Sequence, residues 1–279
     1  MATQGFQGLL EPQKDRVPIS IIFGLTQLVK DTVKSRTLLA TGALGQVLLL
    51  QFLPTRLAIL PAGLFCLHSI ITTAAQIIRG DLKSAIIPGR STAQLPHRES
   101  GAYGTDPAAE PVVVFHFGVR FSHPLGLLSP GGPEINEHFQ KCLALVQADA
   151  DSYGLLGFSN WRGADAETNN TILLVFYFRD VEGLHRFAHG KVHRDAWDWT
   201  IKAGHKHIGF FHETFCVPRK AYESIYVNMP PTLFGRTSVK CKDDGEGEQV
   251  VSTLVSADGP LKTMVRRLGY QSEKQLRGK

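Results

Sequence analysis

Two histidines four residues apart, His189 and His193, stand in HGKVHRDAWDWT (residues 189–200), and Trp197 follows four residues later. On one helix, residues at this spacing share a face. Such a face could line a reaction pocket, hold a metal or fill a core. Gly190 lies inside the stretch, however, and glycine weakens a helix interior by up to about 1 kcal/mol. A break there takes His189 off the face and leaves His193 and Trp197 aligned. Zinc needs three or four ligands, and the chain has no HExxH and no CxxC to complete a set. No metal site is expected. An imidazole one turn before an indole, on a helix facing a pocket, is a candidate proton carrier. The plainer alternative for the tryptophan is core packing.

Two further clusters carry polar groups on apolar stretches. In PVVVFHFGVRF (111–121) a strand's period of two puts His116 and Arg120 on one face and Phe115, Phe117 and Phe121 on the other. His116 and Arg120 could bind a polar group of a substrate, or pair with carboxylates across a dimer seam. In HIGFFHETFCV (207–217) the same alternation groups His212 with Phe210 and Thr214, and Glu213 with Phe211 and Phe215. One of the two points into a pocket, the other toward an interface or solvent. A carboxylate between phenylalanines needs a partner if buried, and His116 and Arg120 are candidates. No GxGxxG, Walker loop or GxSxG elbow is present, so neither a nucleotide cofactor nor serine acyl transfer finds a seat.

The elements that must position these residues follow from pattern. The strand 111–121 is followed by a helix with Ile135, Phe139, Leu143 and Val146 at helical spacing, behind the breaker SPGGP. Strands at 155–161 and 171–178, a helical region from Val181 and a strand at 207–217 complete the order, and YESIYVNMPP suggests a short fifth strand. Strand, helix, strand, strand, helix, strand predicts an α+β, ferredoxin-like βαββαβ domain of the dimeric α+β barrel kind over 110–236. Its helices cover one sheet face, so the other face is expected to meet a second copy.

Upstream, residues 1–36 form an N-terminal segment whose later part, 17–34, reads as an amphipathic helix. Residues 37–53 and 57–78 are uncharged and apolar, parted only by Pro54, Thr55 and Arg56. With a span needing about 20 such residues, 37–79 reads as a membrane helical hairpin. Lys34, Arg36, Arg79 and Lys83 flank it, which places both ends in the cytosol. Residues 80–109 read as a linker and 237–279 as a largely disordered tail. The net charge of +5 invites nucleic acid, but the basic residues build no groove with interleaved aromatics, so that class is excluded. Four scattered cysteines read as reduced thiols.

With these residues in place, the region 111–236 resembles a family of fungal and bacterial proteins in the dimeric α+β barrel group, which includes the antibiotic-biosynthesis monooxygenases. The resemblance rests on VVVFHFGVRFSHPLG, on HRDAW after RDVEGLHRFAHG, on HIGFFHETF and on YESIYVNMPP. It implies a homodimer with an apolar pocket between sheet and helices, and a monooxygenase of a fungal secondary-metabolite pathway. Related enzymes often use neither metal nor flavin: the deprotonated substrate itself reduces dioxygen, the co-substrate. Other relatives are haem-dependent dehydratases, and some only bind small molecules. A dehydratase or cyclase and a non-catalytic binding module are therefore the alternatives. For such a reaction His193 is expected to act as base or proton carrier, Trp197 to pack against an apolar substrate, and His212 or His116 to orient its oxygen-bearing group. His116, Arg120, Glu213 and Tyr226 of YESIYVNMPP are the substrate-binding set. The expected location is the endoplasmic-reticulum membrane, with the catalytic domain facing the cytosol.

Overall fold

The computed structural model describes residues 5–19, 33–81, 85–163, 170–243 and 247–277. The amphipathic helix expected over 17–34 lies almost wholly outside the described residues. The chain divides into two units, Met1–Ile22 with Ile87–Lys279, and Phe23–Ile86.

The second unit is helical: α1 (Ser35–Phe52), the single turn α2 (Thr55–Ala58) and α3 (Leu60–Arg79). Pro54 has no N–H and forces Leu53 into an extended conformation, φ −124° and ψ 148°, which ends α1. Gln46 then donates from Nε2 to the Ala58 carbonyl at 3.0 Å, tying α1 to the turn. Gly80 closes α3 with φ +69°, a left-handed cap. Neither long helix buries a residue, and Phe52 and Ile78 stand 81% and 85% exposed. Among the described residues one helical stretch, Thr55–Arg79, is long and apolar enough to cross a membrane. α1, which carries Arg36, Gln46 and Gln51, falls short of that measure by composition.

The first unit is α+β, with all strand pairings antiparallel. Its principal sheet has the order β3-β4-β2-β5, formed by β2 (Val112–Phe121), β3 (Leu155–Arg162), β4 (Thr171–Phe178) and β5 (Ile208–Val217). β2, flanked by β4 and β5 along most of its length, is buried at both ends, as its apolar run requires. On one face lie α4 (Gly132–Ala148), α5 (Val181–Ala188) and α6 (Lys191–Ala203). Ile135, Leu143 and Val146 are the buried stripe of α4, and its Phe139 stacks against Phe117 of β2. Asp180 caps α5, its Oδ1 accepting the Gly183 N–H at 2.7 Å.

The opposite face differs from expectation. Residues 80–109 are not a plain linker: β1 (Ile87–Ala93) is the middle strand of a second sheet, between β6 (Tyr226–Met229) and β9 (Leu254–Ser256). Its buried residues are Ser91, Thr92 and Ala93, small and hydroxyl-bearing, so no apolar alternation marks it. Ser224 Oγ accepts the Ala93 N–H at 2.9 Å inside this layer. Residues 237–279 are likewise structured. β7 (Ser238–Lys242) and β8 (Glu248–Ser252) form a hairpin, followed by β9 and the short helices α7 (Met264–Arg267) and α8 (Glu273–Arg277). Part of the charged run that reads as disorder, 244–246, lies outside the described residues, while Val239, Cys241, Val250 and Val251 are buried.

These strands pack on the principal sheet. Val112, Leu156, Val175 and Tyr177 share one core with Ala93, Phe234, Val239, Cys241 and Val251, and Tyr177 stacks on Phe234 at 5.1 Å. The chain's own strands therefore cover part of the face that was expected to meet a second copy. Residues 5–19 join the same unit: Gly8 and Gln13 bridge to Val255 and Val250, and Arg16 donates to the Leu155 carbonyl at 2.6 Å.

Arg267 fastens the C-terminal end. Its guanidinium meets Glu223 at 2.6 Å and the Leu261 carbonyl at 3.1 Å, with only 7% of the side chain exposed. Arg267→Ala leaves a mostly buried carboxylate unpaired and should lower the unfolding free energy by about 3 kcal/mol in chemical denaturation. A loss under about 0.5 kcal/mol, the range of ordinary surface changes, would contradict an integral C-terminal segment.

Candidate active site

The register of β2 sorts the candidate residues onto two faces. His116 pairs with Glu213 of β5, Gly118 with Phe211 and Arg120 with Gly209, and these side chains occupy the face away from the helices. His116 Nδ1 stands 3.5 Å from Glu213 Oε2, and its ring meets Phe215 edge-on at 5.5 Å. This is the partner that a carboxylate between phenylalanines requires, although the pair is open to water and contributes little stability. The Phe211 ring lies over Gly118 so closely that a Cβ there would stand 2.1 Å from it. Trp161, Phe211 and Phe215 remain 44–47% exposed on this part of the face.

The helix side carries Phe115, Phe117 and Val119 of β2, opposite Thr214, His212 and Phe210 of β5. The His212 ring is 5.8 Å from that of Phe115, and Phe117 stacks with Phe139 and Phe210 at 6.3 and 6.4 Å. In a central strand under helices these aromatics would ordinarily be sealed. Phe115, Phe117, Phe139 and Phe210 are instead half-buried, and His212 and Thr214 are exposed. The sheet and the helices thus leave an aromatic cleft open along β5.

His193 enters this cleft from α6. Its ring packs edge-on against Phe187 at 5.3 Å. Burial pushes its pKa below the ordinary imidazole value, the nearby Ala188 carbonyl pulls it up, and the neighbouring His212 and His189 push it down. The shift favours the neutral ring, the form that can accept a proton. His212 is near enough to His193 to act on it electrostatically.

Trp197 does not join them. It is 54% exposed, while Val192, His193, Ala196, Trp199 and Thr200 form the inner stripe of α6. Four residues advance a helix by about 400°, so a tryptophan four after a rim histidine turns about 40° further, here into solvent. Trp199 takes the inner position, 5.2 Å from His138. Tyr226 is also elsewhere, in the core on the other sheet face, where its hydroxyl accepts the Gly235 N–H at 2.9 Å and burial raises its pKa. Arg120 lies on the side of His116, not in the cleft.

Sequence reasoning passed over Phe187 and the Ala188 carbonyl; the break at Gly190 was the available signal for both. It also passed over His123, His205 and His207, whose rings stand 5.2 and 5.3 Å apart in succession where β2 ends and β5 begins. Among the described residues no group of three or more His, Cys, Asp or Glu side chains could hold a metal ion. A cavity of about 430 Å³, lined in part by Phe6, Gln94, His97, Tyr103, Asp106 and Glu110, shares no residue with the cleft.

Comparison with known proteins bears on the same region. Residues 112–234, which span the cleft, match the family model described as monooxygenase af470-like. Monooxygenase af470 of Aspergillus fumigatus is 40% identical over 238 residues, covering 84% of this chain and 86% of that protein. Among solved structures, aldoxime dehydratase (OxdRE) in complex with butyraldoxime aligns with TM-score 0.41 and 15% identity, over 55% of this chain and 41% of that one. SnoaB, a cofactor-independent oxygenase from Streptomyces nogalater, aligns with TM-score 0.27 and 13% identity, over 37% and 90%. By its identity to the Aspergillus protein along most of both lengths, the chain belongs to the monooxygenase af470-like family and is a monooxygenase-like oxidoreductase.

Proposed function

We propose that the chain is a membrane-anchored monooxygenase that oxidises an apolar intermediate of a fungal secondary-metabolite pathway, with His193 as its base. The observation that carries this reading is a half-buried imidazole, His193, near His212 in a cleft walled by Phe115, Phe117, Phe139 and Phe210. Aromatic walls suit an apolar substrate, and a base of lowered pKa is deprotonated and ready at neutral pH. The chemistry balances without a bound redox group. His193 removes a proton from an activated CH₂, and the carbanion delivers electrons to dioxygen. The second hydrogen leaves as the O–O bond breaks, giving C=O and one water. His212 orients the oxygen-bearing group of the substrate, and Trp197 packs at the outer rim.

Residues 110–236 are read as a ferredoxin-like βαββαβ unit whose second helix is split into α5 and α6. The exposed Trp161, Phe211 and Phe215 around His116, Glu213 and Arg120 suit a seam with a second copy, or a substrate group held there. Membrane attachment is supported by the exposed apolar side chains of α1 and α3, a surface that water disfavours. The basic residues Lys34, Arg36 and Arg79 at both ends favour a cytosol-facing domain, at the endoplasmic reticulum in a fungal cell.

Two measurements test this reading. Metabolite profiling of a strain lacking the gene should show an intermediate that the purified enzyme consumes with dioxygen uptake. In that assay His193→Ala should lower kcat by about 100-fold or more with the fold intact. Because the active form is neutral and its pKa is lowered, wild-type activity should rise with pH to a midpoint below 6.5 and then level off. Turnover of the accumulated compound by loss of water, without dioxygen, would contradict the oxygenase. Separately, the protein should stay with membranes through alkaline carbonate washing, and its release would contradict a membrane anchor.

A further inference from the structure

α6 (Lys191–Ala203) forms the helix side of the cleft, yet none of its residues is fully buried. Its inner stripe packs toward α4: Trp199 meets His138 at 5.2 Å, and Cys142 Sγ donates to the Val192 carbonyl at 3.9 Å. From His193, every four residues advance about 40° around the helix. The row His193, Trp197, Ile201 therefore runs from the cleft out to water, one turn at a time. Trp197 is 54% exposed and Ile201 64%. Single apolar residues on a surface are ordinary, but these two adjoin and form a lip beside an aromatic cleft.

Charged residues border the lip. Lys191 closes on Asp195 at 2.6 Å, an i, i+4 pair that neutralises itself. Arg194 and Lys202 on the outer surface of α6, and Lys206 just beyond it, are exposed, with Asp198 the further exposed carboxylate of this helix. An indole and an aliphatic side chain edged by long basic ones match the boundary of a bilayer. There the indole sits at headgroup level, and the cations reach lipid phosphates while their stems stay in apolar surroundings.

We propose that the Trp197–Ile201 lip of α6 docks on an anionic lipid surface and sets the mouth of the cleft against the bilayer. An apolar substrate then passes from the lipid into the cleft without crossing water. This rests on the reading of the chain as a membrane-anchored enzyme with its active site in the cleft. A second copy of the chain fits the lip less well. An aromatic side chain buries at most about 250 Å², so two half-exposed residues fall far short of the roughly 800 Å² that each partner of a stable pair buries. The basic border also repels its own copy, whereas it attracts lipid phosphates. The helical unit carries Thr55–Arg79, long and apolar enough to cross a membrane, so lipid is an apolar phase this chain is otherwise suited to meet.

Tryptophan fluorescence of the full chain, reconstituted in vesicles of phosphatidylcholine and phosphatidylserine at about 7:3, reads the docking directly. With Trp161→Phe and Trp199→Phe, Trp197 is the only emitter. Brominated acyl chains should cut its emission by about half or more, because an interfacial indole lies within reach of the upper chains. In the chain with all three tryptophans, the lipid-quenched part of the emission should vanish in Trp197→Phe, which gives the same reading with the inner Trp199 intact. Ile201→Glu should reduce the quenching severalfold, and so should vesicles without phosphatidylserine. Quenching that is equal without phosphatidylserine would overturn the anionic surface. A Trp197 that stays open to iodide and unquenched by brominated lipid, in protein that floats with the vesicles, would overturn the lip and leave the anchor standing. Protection from iodide that grows with protein concentration, without lipid quenching, would assign the lip to a second copy and overturn the proposal. Lipid quenching at neutral pH with release by alkaline carbonate would instead overturn the anchor and leave the lip standing.

Discussion

The pairing of β2 with β4 on one side and β5 on the other is the interaction on which the rest of the domain depends. Because successive residues of a strand point to opposite faces, the register His116 to Glu213 and Phe117 to His212 assigns every nearby side chain at once. Phenylalanines fall toward the helices with His212 among them, while His116, Arg120 and Glu213 fall on the other face. A slip of one residue would move His212 out of the cleft and put Glu213 into it. The two faces then take different fates: the first is left partly open as an aromatic cleft, and the second is partly roofed by the chain's own C-terminal strands.

That roof changes how the domain is held together. A four-stranded sheet with helices on one side leaves an apolar face that must be covered. Here Phe234 and the β7–β8 hairpin supply the cover at the end bearing Val112, Val175 and Tyr177. The segment 5–19, the strand β1 and the residues beyond 237 all contribute, so one compact unit is assembled from parts far apart in sequence. In sequence, residues 23–86 are inserted between two parts of this unit. What remains uncovered, around Phe211 and Phe215, is a small apolar patch beside a solvent-accessible ion pair.

Much of the site was legible in the sequence where a strong period operates. The alternation of β2 and β5 separated His212 from Glu213 and offered His116 and Arg120 as partners for Glu213, and Gly190 marked the break between two helices. Other features rest on weaker signals. β1 buries Ser91, Thr92 and Ala93, a set with no apolar period, so IPGRSTA reads as linker. In β7 and β8 the outward lysines and the charged turn outweigh the few inward valines, and the hairpin reads as disorder. Trp197 and Tyr226 depend on tertiary geometry: about 40° of helix rotation turns one to solvent, and the packing of Phe234 draws the other into a separate core.

In the proposed reaction the His193 imidazole, half-buried beside Phe187, starts oxygen transfer in this cleft. Turnover of the native substrate under isotopically labelled dioxygen tests it most directly, with mass spectrometry of the product. One labelled oxygen atom should appear in the product and the other in water, with no incorporation from labelled solvent before exchange. A product that carries no oxygen from the gas would contradict it.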